Sequence, residues 1–169
     1  HSGASTNELA RGSFGGGLSQ TTARHGDKLD VHLRPATDSI NFPFFGNLHQ
    51  LDWDVAFNAS VPTALELNLG ANKSRIDLLD MTITDFKLKS GASDTDITFP
   101  SRGRLKADLE IGAASLTFTI PEGVSARIRS SIGAGDIRVD QDRFPYQNGY
   151  YRAADFETAR NAIDIHVKG

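Results

Sequence analysis

The stretch Leu65-Glu66-Leu67-Asn68-Leu69-Gly70-Ala71-Asn72-Lys73-Ser74-Arg75-Ile76 holds the plan of the whole chain. Its Gly-Ala pair returns as Gly91-Ala92, Gly112-Ala113 and Gly133-Ala134, 21 residues apart each time. An unbroken period of this size marks a stacked repeat in which each period is one rung. Alignment on the four glycines shows what each position does. Five residues before the glycine stand Leu65, Phe86, Ala107 and Ile128, and three before stand Leu67, Leu88, Leu109 and the exception Ser130. One before come Leu69, Ser90, Ile111 and Ile132. Apolar residues two apart are the signature of a strand with one buried face. A second alternation follows each bend, through Ser74, Thr95, Leu116 and Ile137, then Ile76, Ile97, Phe118 and Val139.

Each rung is therefore two short strands joined at Gly-Ala. The glycine supplies unusual backbone angles or a close approach there. Turn chemistry fills the opposite corner in Pro100-Ser101-Arg102-Gly103 and Pro121-Glu122-Gly123. Equivalent strands of successive rungs pair in parallel about 4.8 Å apart, and such connections are right-handed. The expected fold is an all-β, single-domain parallel β-solenoid, flattened, right-handed, with two strands per 21-residue rung. Residues 1–12 read as a tag remnant or flexible leader. Capping strands and atypical rungs follow over 13–60, regular rungs over 61–143, and an insertion loop with a final partial rung over 144–169. His49 lies one period before Gly70, and Trp53, Val55 and Phe57 keep phase after it. Ile163, Ile165 and Val167 alternate like a strand whose bend would lie at or past Gly169.

Bulk properties exclude several function classes. The 169 residues suffice for one domain with a sizeable core. A net charge of −3 with scattered Lys and Arg offers no nucleic-acid footprint. Cysteine is absent, which removes disulfides, thiolate catalysis and Cys-based zinc sites. No apolar run approaches the roughly 20 residues of a membrane span. Among the histidines, His1, His25, His32, His49 and His166, none stands at metal-ligand spacing with another, and His32 and His166 read as exposed. No nucleophile elbow, phosphate loop or dinucleotide fingerprint occurs. The expectation is no catalytic residue, no metal and no cofactor.

Four residues before each glycine stand Glu66, Lys87, Asp108 and Arg129, alternating in sign. Opposite charges stacked across strands contribute roughly 0.2–1 kcal/mol per pair, and the ladder helps hold register. Asp94 and Asp96 share one face of a strand, about 7 Å apart. That spacing suits an inverting glycosidase dyad or a calcium site. Lys73 and Arg75 occupy the rung below, and this favours a solvated, ladder-paired face. The aromatic stretch Phe144 to Arg152, with Tyr146, Tyr150 and Tyr151, could bind sugar rings or a protein, or could fold over exposed sheet. Phe42-Pro43-Phe44-Phe45 raises the same question. Asn58-Ala59-Ser60 and Asn72-Lys73-Ser74 fit the glycosylation triplet weakly.

The runs Leu65 to Ser74, Ser90 to Thr95 and Ile111 to Ser115 resemble toastrack-type domains related to the C-terminal domain of LiaF-like bacterial cell-envelope stress proteins. Phe144-Pro145 and Tyr151 to Ile165 resemble that family's closing segment. The resemblance covers Leu51 to Gly169 and, more loosely, the N-terminal strands. It implies a non-enzymatic interaction or sensory module, placed in the cell envelope and membrane-associated only through segments absent from this chain. The partner would be a protein, or a second copy meeting the open solenoid edges, with no nucleic acid. LiaF-like members restrain a histidine-kinase pathway, which makes stress signalling one implied role. A carbohydrate-binding or carbohydrate-active solenoid and a self-assembling scaffold are the alternatives.

Overall fold

A computed structural model describes residues 1–36, 52–70, 73–112, 115–133 and 138–169. Its regular elements are strands: β1 (Ala10–Phe14), β2 (Leu18–His25), β3 (Lys28–Pro35), β4 (Trp53–Phe57), β5 (Thr63–Leu69), β6 (Lys73–Asp77), β7 (Ile83–Ser90), β8 (Asp94–Thr98), β9 (Arg104–Ile111), β10 (Ser115–Thr119), β11 (Ser125–Ser131), β12 (Tyr146–Gln147), β13 (Tyr150–Arg152) and β14 (Ala162–Lys168). Strands before each bend, joined by β14 and the β12–β13 pair, form a seven-stranded sheet, and strands after it a three-stranded parallel sheet ordered β10-β8-β6. Leu65 pairs with Phe86 and Phe86 with Ala107, while Ile76 pairs with Ile97 and Ile97 with Phe118. The flattened β-solenoid and its 21-residue register follow the sequence pattern.

Between the sheets lies one aliphatic and aromatic core. Phe86, Leu88, Ile97, Phe99, Leu109 and Ile128 are all buried there. Phe99 from the small-sheet side meets Phe86 edge-on at 6.1 Å and Phe118 at 5.9 Å, so the rings lock successive rungs together. Ser90 and Thr95, exceptions in apolar columns, are buried too. Ser93 completes their needs, through hydroxyl contacts with Ser90 and with Thr95. Pairing the three hydroxyls removes most of the cost of burying them.

The largest departure from expectation is β14. The big sheet runs β12-β13-β11-β14-β9-β7-β5, so the last strand sits between β9 and β11 instead of beyond β11. It pairs in parallel with both, Ile165 facing Ala107 on one side and Ile128 on the other. Asn161 guides it in: its side-chain oxygen accepts from the Gly103 amide at 3.0 Å and its carbonyl accepts from Ser125 at 3.0 Å. The sequence pattern could not show this, because β9 and β11 remain exactly in phase with or without a strand between them.

Other corrections are local. None of the four bend glycines has positive φ, so unusual angles do not explain them, and a close backbone approach is found at Gly112. Residues 1–12 do not trail as a leader. Gly3 and Ala4 donate to the Phe57 carbonyl, and β1 pairs antiparallel with β4. Asn58, 6 % exposed, donates to the Ser5 and Glu8 carbonyls, so the first of the two glycosylation triplets is a buried clamp. β4 keeps the repeat phase but pairs with β1, outside the three-stranded ladder. The insertion contains a hairpin, β12–β13, whose Asn148 (φ 51°) and Gly149 (φ 88°) form a two-residue turn with both φ positive. Ala71, Ala113, Ala134, Ile137, Phe42 to Phe45 and His49 lie outside the described residues.

Candidate functional site

The outward side chains of the large sheet form three rows across the strands. The first reads Asp85, Lys106, Asp164, Arg127 and Arg152. The second reads Glu66, Lys87, Asp108, His166 and Arg129. The third reads Asn68, Lys89, Glu110, Lys168 and Ser131. The expected ladder from Glu66 to Asp108 is present, but Asp108 does not face Arg129. His166 stands between them, its Nδ1 3.8 Å from Asp108, and it is half-buried where exposure was expected.

Cross-strand ion pairs on this face include Arg127 with Asp164 and Lys89 with Glu110. Arg127 clasps Asp164 through Nε and Nη2 at 3.1 and 2.5 Å. That paired carboxylate holds the Arg127 guanidinium above its ordinary range. Asp108 sits 3.0 Å from the Lys106 ammonium and raises it likewise. Arg127 and Arg152 both reach Glu157, and the Arg127 guanidinium also lies 4.8 Å over the buried Phe156 ring.

The carboxylates singled out from the sequence, Asp94 and Asp96, are exposed on β8. Lys73 and Arg75 flank them in register on one side, Ser115 and Thr117 on the other. Tyr146, Tyr150 and Tyr151 lie on the β12–β13 hairpin at the edge of the large sheet, so the two groups stand on different sheets and the structure does not bring them together. Tyr151 packs on the core, Tyr146 tilts against it at 5.0 Å, and Tyr150 lies under the Arg129 guanidinium at 5.4 Å. Tyr146 is 60 % exposed. The hairpin pairs with β11 at Arg127 and Ile128. Among the described residues no three His, Asp or Glu side chains converge as a metal site would need.

The sequence reading missed a trough along the bend corner. It has a volume of about 840 Å³, a floor of Gly70, Gly91 and Gly112, and a wall of Asn68, Lys89, Glu110 and Lys168. Lys89 and Glu110 pair along that wall at 3.6 Å. The polar column two residues before each glycine (Asn68, Lys89, Glu110) was a signal for it. Lys168 had none, because it enters this row only through the intercalation of β14.

The family described as the N-terminal domain of toast_rack, DUF2154, matches residues 5–119. That span takes in β1 through β10 and stops before the aromatic hairpin, whereas the motif resemblance had centred on Leu51 to Gly169. No curated protein matches the chain. A crystal structure from Clostridium sporogenes, of a "putative cell adhesion protein", superposes with a TM-score of 0.72 at 15% identity, over 97% of this chain and 80% of that one. At that identity the likeness concerns the fold.

Proposed function

The chain belongs to the toast_rack family, and from that premise we propose that it is a non-enzymatic interaction module of a bacterial cell-envelope or cell-surface protein. The observation that carries this reading is how the outer face uses its titratable groups. The cations raised above their ordinary range, Arg127 and Lys106, owe the shift to carboxylates of the sheet face itself, Arg127 to Asp164 on the neighbouring strand and Lys106 to Asp108 two residues along its own strand. Perturbed groups at active sites instead converge in clefts on a reacting atom. The cell-adhesion description of the structural neighbour agrees with a surface role. Signalling under envelope stress, by contact with a membrane kinase, is the finer form of the proposal and rests on the LiaF-like motif resemblance.

The test is photo-crosslinking in intact cells of the full-length protein, with a crosslinker at Glu66 or Gln147 on the outward face. Adducts with envelope components are expected. Their absence sinks the reading, as does release of shortened sugar products when the chain is incubated with envelope polysaccharide. An adduct with a histidine kinase carries the finer form.

A further inference from the structure

Charge signs alternate along the outward rows, from Asp85 through Arg127 in the first, Glu66 through Asp108 in the second and Lys89 through Lys168 in the third, and the last two patterns end around β14 and β11. In the second row His166 is followed by Arg129, and in the third Lys168 is followed by Ser131. Arg129 and Lys168 are diagonal neighbours across this strand pair, within reach of one ligand. Both are exposed, and among the described residues neither forms an ion pair. Arg129 is held over the Tyr150 ring, which orients its planar fork of donors without neutralising it. Lys168 also stands at the end of the open trough whose other polar wall residues are Asn68, Lys89 and Glu110.

We propose that this corner binds an acidic polysaccharide through its carboxylates, with Arg129 and Lys168 as the anchoring cations and the trough receiving the adjoining sugars. The inference rests on the interaction-module reading and names its partner class. Anionic charge follows from the two unpaired cations. A polysaccharide fits this corner because the neutral groups beside the two cations are hydroxyl and amide side chains. One edge of β11 is paired along its length with β14, and the other with β13 at Arg127 and Ile128. The proposed recognition is by side chains. The neutral ones at hand, the Ser131 hydroxyl, the Gln147 amide and the Tyr150 phenol, suit sugar hydroxyls. A guanidinium fork matches a carboxylate with two parallel hydrogen bonds.

The experiment measures binding of the chain to polygalacturonate, neutral dextran and poly-L-glutamate by calorimetry, at an ionic strength of about 0.15 M. The double variant Arg129→Gln with Lys168→Gln is compared with Lys73→Gln and Arg75→Gln, which removes the same charge from the small sheet. Polygalacturonate affinity should fall about tenfold or more in the first and less than about twofold in the second. Dextran should not bind. Arg129→Lys, which keeps the charge but loses the fork, should weaken binding alone if the double variant fails to fold. Equal losses in both double variants, equal binding of polyglutamate, or no polygalacturonate binding would each overturn the proposal. Such a failure leaves the crosslinking result standing, whereas sugar-product release overturns the module reading while leaving this site.

Discussion

At the scale of residues, four glycines that look equivalent in the sequence are not equivalent in space. A β-carbon on Gly112 would lie 3.1 Å from the Gly91 carbonyl oxygen, a stacked backbone atom with little freedom to move. One on Gly70 would meet nothing within 4 Å. Gly112→Ala should therefore cost about 1–3 kcal/mol by overpacking, while Gly70→Ala should be neutral or stabilise by about 0.5 kcal/mol through the unfolded chain. Urea melts of the two variants check this; equal destabilisation would refute the close-approach account. The N-terminal segment has its own anchor in Glu8, which accepts from Arg11 and Ser5. The Arg11 hydrogen bond, then those of Ser5, hold the carboxyl below its ordinary value of 4.5. With a folded pKa lowered in this way, the contribution is present above 4.5 and is lost as pH falls through the folded value. Carboxyl NMR titration should show this pKa returning toward 4.5 in Arg11→Gln.

At the scale of elements, charge helps explain why β14 lies where it does. Were β9 and β11 to pair directly in the 21-residue register, Lys106 would face Arg127. The inserted strand places Asp164 between them. Asp164→Asn should destabilise by about 1–3 kcal/mol, since it weakens the partner of a partly buried guanidinium. Asp94→Asn, on an exposed ladder, should stay within about 0.5 kcal/mol. Thermal melts of both variants decide whether the two carboxylates differ as the burial of their partners requires. Asp164 was legible as a polar position of an alternating strand, but its neighbours were not. Sequence alignment stacks β11 on β9, and nothing local reports a strand arriving from 31 residues further along the chain.

For the whole molecule, stability is concentrated where the sheet is doubly paired. Ile165, 0 % exposed, lies at the centre of the seven strands. Leu65 on the edge strand β5 is only half-buried. Ile165→Ala should cost about 2–5 kcal/mol, and Leu65→Ala clearly less. Hydrogen exchange should rank the molecule likewise, with amides of β9, β14 and β11 slowest and those of the exposed β2–β3 hairpin fastest. Slow exchange in the hairpin would contradict this ranking.

The sequence by itself determined the rung: its two strands, its 21-residue register, its inward column and its alternating outward charges. These are properties of residues two apart or one period apart, and side-chain alternation and parallel stacking convert them directly into geometry. The aromatic hairpin was half legible, since its Asn148-Gly149 pair is a turn signal within a stretch read as a loop. The order of strands was decided only by the tertiary structure. A parallel slot between β9 and β11 accepts any strand with the same inward spacing, so periodicity cannot say which strand fills it. That choice put His166 beside Asp108 and Lys168 near Arg129, and so created the corner proposed to bind an acidic polysaccharide.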